Sequence, residues 1–266
     1  MTDILRRSLA PITQEAWEEI DEEAARILKL YLAGRQIVDL NGPRGWQAAA
    51  VNLGRLDYDE NKKSDGVEWA ERRVLPLIEI RVPFELEIFE LDDVTRGCAD
   101  ADLDPLTQAA IKTALFEDKA ILKGFAEGQI KGISEACPHK PIELSDKIEE
   151  LPVAVAKGIE ELQLASIDGP YALVLEPKRY HALMQSTKTG YPLRRVIRDM
   201  VQGSVLWSAA IEGGVLVSMR GGDFELNVGQ DLSIGYWTHT AKKVELYLTE
   251  SFTFRAIEPA AGIVLA

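Results

Sequence analysis

Residues 221–236 read GGDFELNVGQDLSIGY and predict a tight turn followed by two strands with a second turn between them. The two glycines at the start permit the positive φ angles that a tight turn requires. Apolar residues then alternate with polar ones, as on a strand that buries one face. The alternating apolar residues are Phe224, Leu226 and Val228, then Leu232, Ile234 and Tyr236. The stretch contains no plausible catalytic set, so we interpret it as scaffold.

The alternation resumes in residues 243–256, which predict a strand longer than the usual length of about five or six residues. Its even-numbered positions are apolar except for Glu250, and its odd-numbered positions are mostly polar. This pattern predicts an antiparallel strand that is covered on one side only. Such a long strand favours an extended sheet in a flat molecule over the shorter strands of a compact enzyme core.

Two amphipathic helices are predicted in the first half of the chain. The first follows Thr13, has an acidic first turn and ends before Gly34; the second begins at Asp104 and ends before Gly124. Between residues 137 and 223 short helices alternate with short strands, which predicts a second domain of mixed composition. The sequence therefore predicts an α+β protein.

A polar, irregular segment from residue 46 to about residue 72 lies between predicted strands. Its charged and amide residues cluster at the middle, which is typical of a solvated loop. Because strands flank it, we predict a long hairpin. The strand that follows alternates from Ile78 to Ile88, and Pro83 is expected to break its register.

Composition limits the class of protein. The chain has 266 residues, enough for one large or two small domains, and a formal net charge of −13, which argues against wrapping of nucleic acid. Its N-terminus lacks the apolar core of a signal peptide, and two cysteines are too few for a disulfide framework. We therefore expect a cytoplasmic protein.

Signals for catalysis are few. No phosphate-binding glycine motif and no G-x-S-x-G motif is present, and the cluster of Cys137 and His139 is too small for a zinc site, so no metal is expected. His181 and His239 have no spacing that indicates a triad, although triad members need not be close in sequence. A soluble hydrolase or peptidase that uses one of them with an unassigned serine remains an alternative.

Five segments together resemble the encapsulin shell proteins of the linocin or bacteriocin type, the family 1 encapsulin nanocompartments. They are RRSLAPIT at 6–13, GRQIVDLNGPRGW at 34–46, LPLIEIR at 75–81, GGDFELNVGQDLSIGY at 221–236 and TESFTF at 249–254. The resemblance implies the capsid fold of tailed phages and self-assembly into a closed icosahedral shell that encloses a cargo enzyme. It implies a structural protein that is not itself an enzyme. A prophage capsid protein that encloses DNA is a further alternative.

The resemblance also implies a domain layout. An N-terminal helix and the start of a peripheral domain fall in 1–45, an extended hairpin loop in 46–80, and the peripheral domain with its spine helix in 81–136. An axial domain occupies 137–223, and return strands of the peripheral domain occupy 224–266.

Site residues follow from the same resemblance. A groove for the C-terminal targeting peptide of the cargo would be formed by Leu28, Arg35, Asp39, Leu232 and Ile234. Arg35 and Asp39 would pair with each other or with the peptide; the alternative is an internal ion pair alone. Replacing Leu28 or Ile234 with Asp is expected to abolish cargo loading and leave assembly intact.

A pore, a cofactor and a cargo are implied as well. The pore loop would comprise Gln185, Ser186, Thr187, Lys188, Thr189 and Gly190. Phe89 stands where related shells stack flavin on a tryptophan. Phenylalanine can still stack on flavin, but its smaller ring without an indole N–H argues against binding, so no cofactor is expected and flavin on Phe89 is the alternative. The common cargoes are a ferritin-like protein or a dye-decolourising peroxidase, for iron storage or defence against oxidative stress.

Overall fold

The computed structural model describes residues 4–58, 63–188 and 190–266. These residues form α-helices and short 3-10 turns. The α-helices are α1 Gln14–Tyr31, α2 Ile88–Thr95, α3 Asp104–Leu122, α4 Ile133–Ala136, α5 Leu151–Leu164, α6 Pro177–Gln185 and α7 Leu193–Val201. The 3-10 turns are Arg7–Leu9, Gly34–Gln36, Ala126–Gly128, Ile148–Glu150 and Pro259–Ala261. Both predicted long helices are confirmed as α1 and α3.

Strands supply the rest of the regular structure. They are β1 Asp39–Asn41, β2 Ala50–Asp57, β3 Lys63–Ser64, β4 Val67–Glu68, β5 Glu71–Pro76, β6 Ile78–Glu87, β7 Gly124–Phe125, β8 Ile130–Lys131, β9 Tyr171–Leu175, β10 Thr187–Lys188, β11 Tyr191–Pro192, β12 Val205–Trp207, β13 Gly214–Ser218, β14 Phe224–Val228, β15 Ser233–His239, β16 Lys243–Ala256 and β17 Gly262–Leu265.

The predicted long strand is confirmed as β16, the centre of the main sheet. One edge of β16 pairs with β6, and the other pairs first with β15 and then with β14. β1 extends the sheet parallel to β14. Gly221 and Gly222 both have positive φ angles near +80°, as the turn ahead of β14 requires.

The expectation that β16 is covered on one side only is wrong. Thr249, Ser251 and Thr253, on its polar face, are buried as well. Thr249 donates to the backbone oxygen of Ile80, and Ser251 accepts from a backbone N–H. The hydroxyls of Thr249 and Ser251 are thus bonded internally, whereas the buried hydroxyl of Thr253 has no hydrogen-bond partner within the described residues. Both faces of β16 are therefore covered, and two of the three buried hydroxyls are satisfied.

The expectation that Pro83 breaks the strand register is also wrong. β6 pairs with β16 without interruption over ten residue pairs, and Pro83 lies opposite Tyr247. One proline removes at most one ladder hydrogen bond, whereas the remaining pairs fix the register.

The predicted hairpin is present. β2 pairs with β5, and the short strands β3 and β4 pair with each other further out. Within the described residues, β2 and β5 pair with no other strand. Residues 59–62, in the middle of the predicted polar cluster, lie outside the described residues.

A second sheet has the strand order β12, β9, β13, β17. Three of its strands come from 137–223, as expected, but β17 comes from the C-terminus and pairs with β13. The expectation that all of 224–266 returns to the first sheet is therefore wrong for β17. Its residues are apolar on both faces, and Ile263 and Leu265 are buried in the core of this second sheet.

Two apolar clusters form the interior, and β16 and α3 run through both. One cluster gathers α1, the start of α3 and the first half of β16; the other gathers the second sheet, the end of α3 and the second half of β16. On β16 the change of cluster falls between Leu248 and Phe252, and on α3 it falls between Ala114 and Ala120.

Candidate functional site

Buried charges occupy the junction between the two apolar clusters. Arg35, in the 3-10 turn after α1, donates to Glu117 of α3 with contacts of 2.8–3.0 Å. It also donates to Glu250 of β16 and, at 2.9 Å, to Asp231 in the turn between β14 and β15. The side chains of Glu117 and Glu250 are 0% exposed, that of Arg35 is 16% exposed and that of Asp231 is 40% exposed. We call these four residues the Arg35 cluster.

The protonation of the Arg35 cluster follows from its burial. Burial opposes the charge of Arg35, but the carboxylates of Glu117, Glu250 and Asp231 outweigh it and raise the pKa of the guanidinium, which stays charged. Burial, with the nearby charge of Glu117, raises the pKa of Glu250 well above its ordinary value. Arg35 thus pairs with Glu250, whose carboxyl group retains its proton to a higher pH than that of an exposed glutamate.

Asp118 connects the end of α1 to the second sheet. Its carboxylate accepts from the backbone N–H groups of Ala33, at 3.2 Å, and Gly34, at 2.8 Å, and from the hydroxyl of Ser208 at 2.6 Å. Burial raises the pKa of Asp118 to about 6, although these three donors favour the ionised form. A Cβ at Gly34 would lie 2.6 Å from the Cδ1 atom of Ile121 and 3.0 Å from a carboxylate oxygen of Asp118, so a larger residue here would displace these side chains.

The sequence pattern does not indicate that the carboxylates of Glu117 and Asp118 are buried, because the apolar positions around them already complete a helical stripe. The one available signal was Glu250, which interrupts an otherwise apolar strand face. A buried acid requires a cation or several hydrogen-bond donors from other elements, and sequence spacing does not identify those partners.

The predicted pairing of Arg35 with Asp39 is wrong. The guanidinium of Arg35 bonds the other three members of the Arg35 cluster. Asp39 is exposed, and its carboxylate accepts from the backbone N–H of Gly222 at 2.5 Å. The alternative that Arg35 and Asp39 form only an internal ion pair is wrong as well, because the ion pairs of Arg35 are made with Glu117, Glu250 and Asp231.

The three apolar residues predicted for the groove do belong to one apolar cluster. Leu28 is 7% exposed and Ile234 is 3% exposed, so both are core residues, while Leu232 is partly exposed and packs against them. The expectation that Asp at Leu28 or Ile234 leaves assembly intact is therefore physically untenable, since it buries a charge in the core. Of the three, Leu232 offers the surface that a peptide can reach.

The predicted pore loop forms a small hairpin. Gln185 ends α6, the hydroxyl of Ser186 donates to the carbonyl of Ala182, and β10 pairs with β11. Gly190 has a φ of +79°, as a hairpin turn requires. Thr189 and the side chain of Lys188 lie outside the described residues.

The remaining candidate residues are dispersed. Phe89 lies exposed in the first turn of α2. His181 is exposed and stacks edge-on against Tyr180, and His239 bonds the Tyr236 hydroxyl at 2.6 Å. Cys137 and the His139 ring both bond backbone carbonyls, and no group of three or more metal-ligating side chains is found in the described part of the chain.

The hairpin of β2 and β5 carries exposed apolar side chains along its length. They are Leu56, Tyr58, Val67, Trp69 and Val74. Among the described helices, none is long and apolar enough to cross a membrane.

Comparison with known proteins gives a continuous match. Residues 1–253 match a family model described as "Encapsulating protein for peroxidase". A type 1 encapsulin shell protein of Rhodospirillum rubrum is 44% identical over 100% of this chain and 96% of its own length. One from Mycolicibacterium paratuberculosis is 43% identical over 98% of both chains.

Solved structures share the fold at lower identity. A virus-like particle from Pyrococcus furiosus aligns with a TM-score of 0.67 and 21% identity, over 94% of this chain and 99% of the other. The capsid of an empty GTA particle aligns with a TM-score of 0.51 and 14% identity, over 88% of this chain and 89% of the other. These alignments confirm the predicted capsid-like fold.

Proposed function

This chain belongs to the family of type 1 encapsulin shell proteins, and on that premise we propose that its copies assemble into a closed icosahedral shell in the cytoplasm that encloses a cargo protein. The observation that carries the proposal is the family match across nearly the whole chain, together with the capsid-like fold. The relatives are structural shell proteins, so the chain is not itself an enzyme and the hydrolase alternative is set aside.

Contacts between copies would use the hairpin of β2 and β5. Its strands have no other strand partner within the described residues, and its exposed apolar side chains lose contact with water only against another molecule. In a symmetric assembly every copy presents the same surface, so a neighbouring subunit would cover the hairpin of each copy.

Cargo capture would use the surface beside α1 and β15. Leu232 would contact an apolar residue of the targeting peptide, with Leu28 and Ile234 forming the packed layer beneath. Asp39 is exposed and available to a charged group of the peptide, whereas Arg35 would act indirectly by holding the turn that precedes Leu232. The pore would be lined by residues 185–190, and iron storage or defence against oxidative stress would follow from a ferritin-like or peroxidase cargo.

Electron microscopy with size-exclusion chromatography tests assembly. We expect uniform hollow particles without the ultraviolet absorbance of nucleic acid. A small oligomer would refute the shell, and particles filled with DNA would favour the prophage capsid alternative.

A matched pair of variants tests the hairpin. Val74 on β5 is 51% exposed and Val153 on α5 is 54% exposed. We expect Val74→Asp to prevent particle formation and Val153→Asp to preserve it. Equal behaviour of the two variants would contradict a special role for the hairpin.

A second pair tests cargo capture. The chain is co-expressed with a ferritin-like protein or a peroxidase that bears its C-terminal peptide, and loading is measured in purified particles. We expect Leu232→Asp to reduce loading and Leu164→Asp, at an exposed position on α5, to leave it unchanged. Normal loading of Leu232→Asp would refute the groove.

A further inference from the structure

Three arginines converge on a cavity beside α7. Arg194, Arg195 and Arg198 line a cavity of about 450 Å³ together with Met184 of α6 and residues 203–206, which lead into β12. The volume lies in the range of about 300 to 1,000 Å³ that small-molecule sites occupy. We call this cavity the arginine pocket.

Within the described residues, no acidic side chain pairs with the arginines of the pocket. No acidic residue lines the pocket, and within the described part of the chain none of its arginines has a carboxylate oxygen within 4.0 Å. The chain as a whole carries 43 acidic and 30 basic residues, so a concentration of unpaired arginines is unexpected. Most other arginines, such as Arg96 and Arg220, pair with a nearby acid.

The position of these arginines on the helix adds to this imbalance. Arg194 and Arg195 lie in the first turn of α7, where the helix dipole disfavours cations, and that turn contains no acidic residue. Arg194 and Arg198 are four residues apart on one face and repel each other. Both effects weaken the isolated helix, and a bound anion reverses both.

The floor of the pocket packs against the second sheet. A Cβ at residue 203 would lie 2.2 Å from the carbonyl oxygen of Tyr171, so the backbone of Gly203 packs directly against β9. The following strand β12 pairs in parallel with β9 from Val205 onward. The exposed hydroxyl of Ser204 supplies one more donor at the rim.

We propose that the arginine pocket binds a small phosphate-bearing anion. Guanidinium groups bind phosphate oxygens in a bidentate manner, and three of them match an ion with two or more phosphate groups. Met184, Val205 and Leu206 add an apolar wall that suits an attached ring. A concave pocket suits a compact ligand better than the acidic face of another protein. The proposal does not depend on the cargo or pore functions.

Isothermal titration calorimetry on the assembled protein tests the proposal, with sodium triphosphate and ATP as separate probes at about 50 mM salt, where screening is weak. We expect saturable binding near one site per chain. Arg194→Gln/Arg198→Gln should weaken it about tenfold or more, as the loss of charge-assisted hydrogen bonds implies. The charge-matched control is Lys29→Gln/Lys112→Gln, two exposed lysines outside the pocket.

The outcomes separate the sources of phosphate. Equal affinity for the two probes supports an inorganic phosphate ligand, and tighter binding of ATP supports a nucleotide. Absence of saturable binding, or equal weakening in the control variant, overturns the proposal. Binding of an acidic peptide such as oligoglutamate in place of both probes would also overturn it, in favour of an acidic protein segment. Unchanged melting temperatures verify that the variants are folded.

Discussion

Replacement of Arg35 by Met is the most informative perturbation of this fold. The change removes five hydrogen bonds to three carboxylates. Asp231 is 40% exposed and regains water, but Glu117 and Glu250 are fully buried. Removing one partner of a buried ion pair costs about 3–5 kcal/mol. Because two buried carboxyl groups then lose the cation that pairs with them, we expect a loss of about 3–4 kcal/mol near pH 8.

Denaturant titration monitored by tryptophan fluorescence measures this loss, at equal protein concentration for all variants because assembly contributes to stability. The matched control is Arg96→Met, which breaks an exposed pair with Asp93 and should change stability little, because surface ion pairs contribute little. Glu250→Gln keeps the shape without a charge and should cost about 1 kcal/mol or less near pH 8. If Arg35→Met destabilises no more than Arg96→Met, the account of the cluster is refuted.

Three further predictions concern the same region. In Asp118→Asn the amide NH₂ group would face one or two of the three donors from which the carboxylate now accepts. We therefore expect the free energy of unfolding to fall by about 1–3 kcal/mol, against about 1 kcal/mol for Ser208→Ala. Equal losses for the two variants in denaturant titrations would contradict this. Since the folded pKa values of Asp118 (about 6) and Glu250 lie above their ordinary values, the folded chain binds more protons than the unfolded chain. The contribution of Asp118 to the free energy of unfolding therefore falls by about 3 kcal/mol as pH rises from about 4 to 6. That of Glu250 falls as pH rises above its ordinary pKa, and a titration series in which Glu250→Gln keeps the full wild-type slope would exclude Glu250 as a contributor. Leu28→Asp should abolish soluble particles because it charges the core, whereas Leu232→Asp should retain them, as judged by size-exclusion chromatography; intact particles for Leu28→Asp would show that this position is accessible.

The sequence determined the elements with strong periodicity. The alternation of β16, the stripe of α1 and the start of α3 at Asp104 follow from local rules of period and capping, and the structure has them where the pattern predicts. The resemblance carried by five short segments added the capsid-like fold, which local patterns alone do not specify. These features depend on residues close together in the chain.

Only the tertiary structure decided which charges meet. Arg35 and Glu250 are separated by 215 positions, and nothing in their spacing indicates that α3 brings Glu117 and Asp118 between them. The buried polar face of β16, the continuity of β6 through Pro83 and the pairing of β17 with β13 have the same origin. In each case the outcome depends on what packs over a residue, because burial, not residue type, sets the energy of a charge or hydroxyl. The periodicity of this chain thus specified its strands and helices, while the packing of those elements determined which polar residues lie inside.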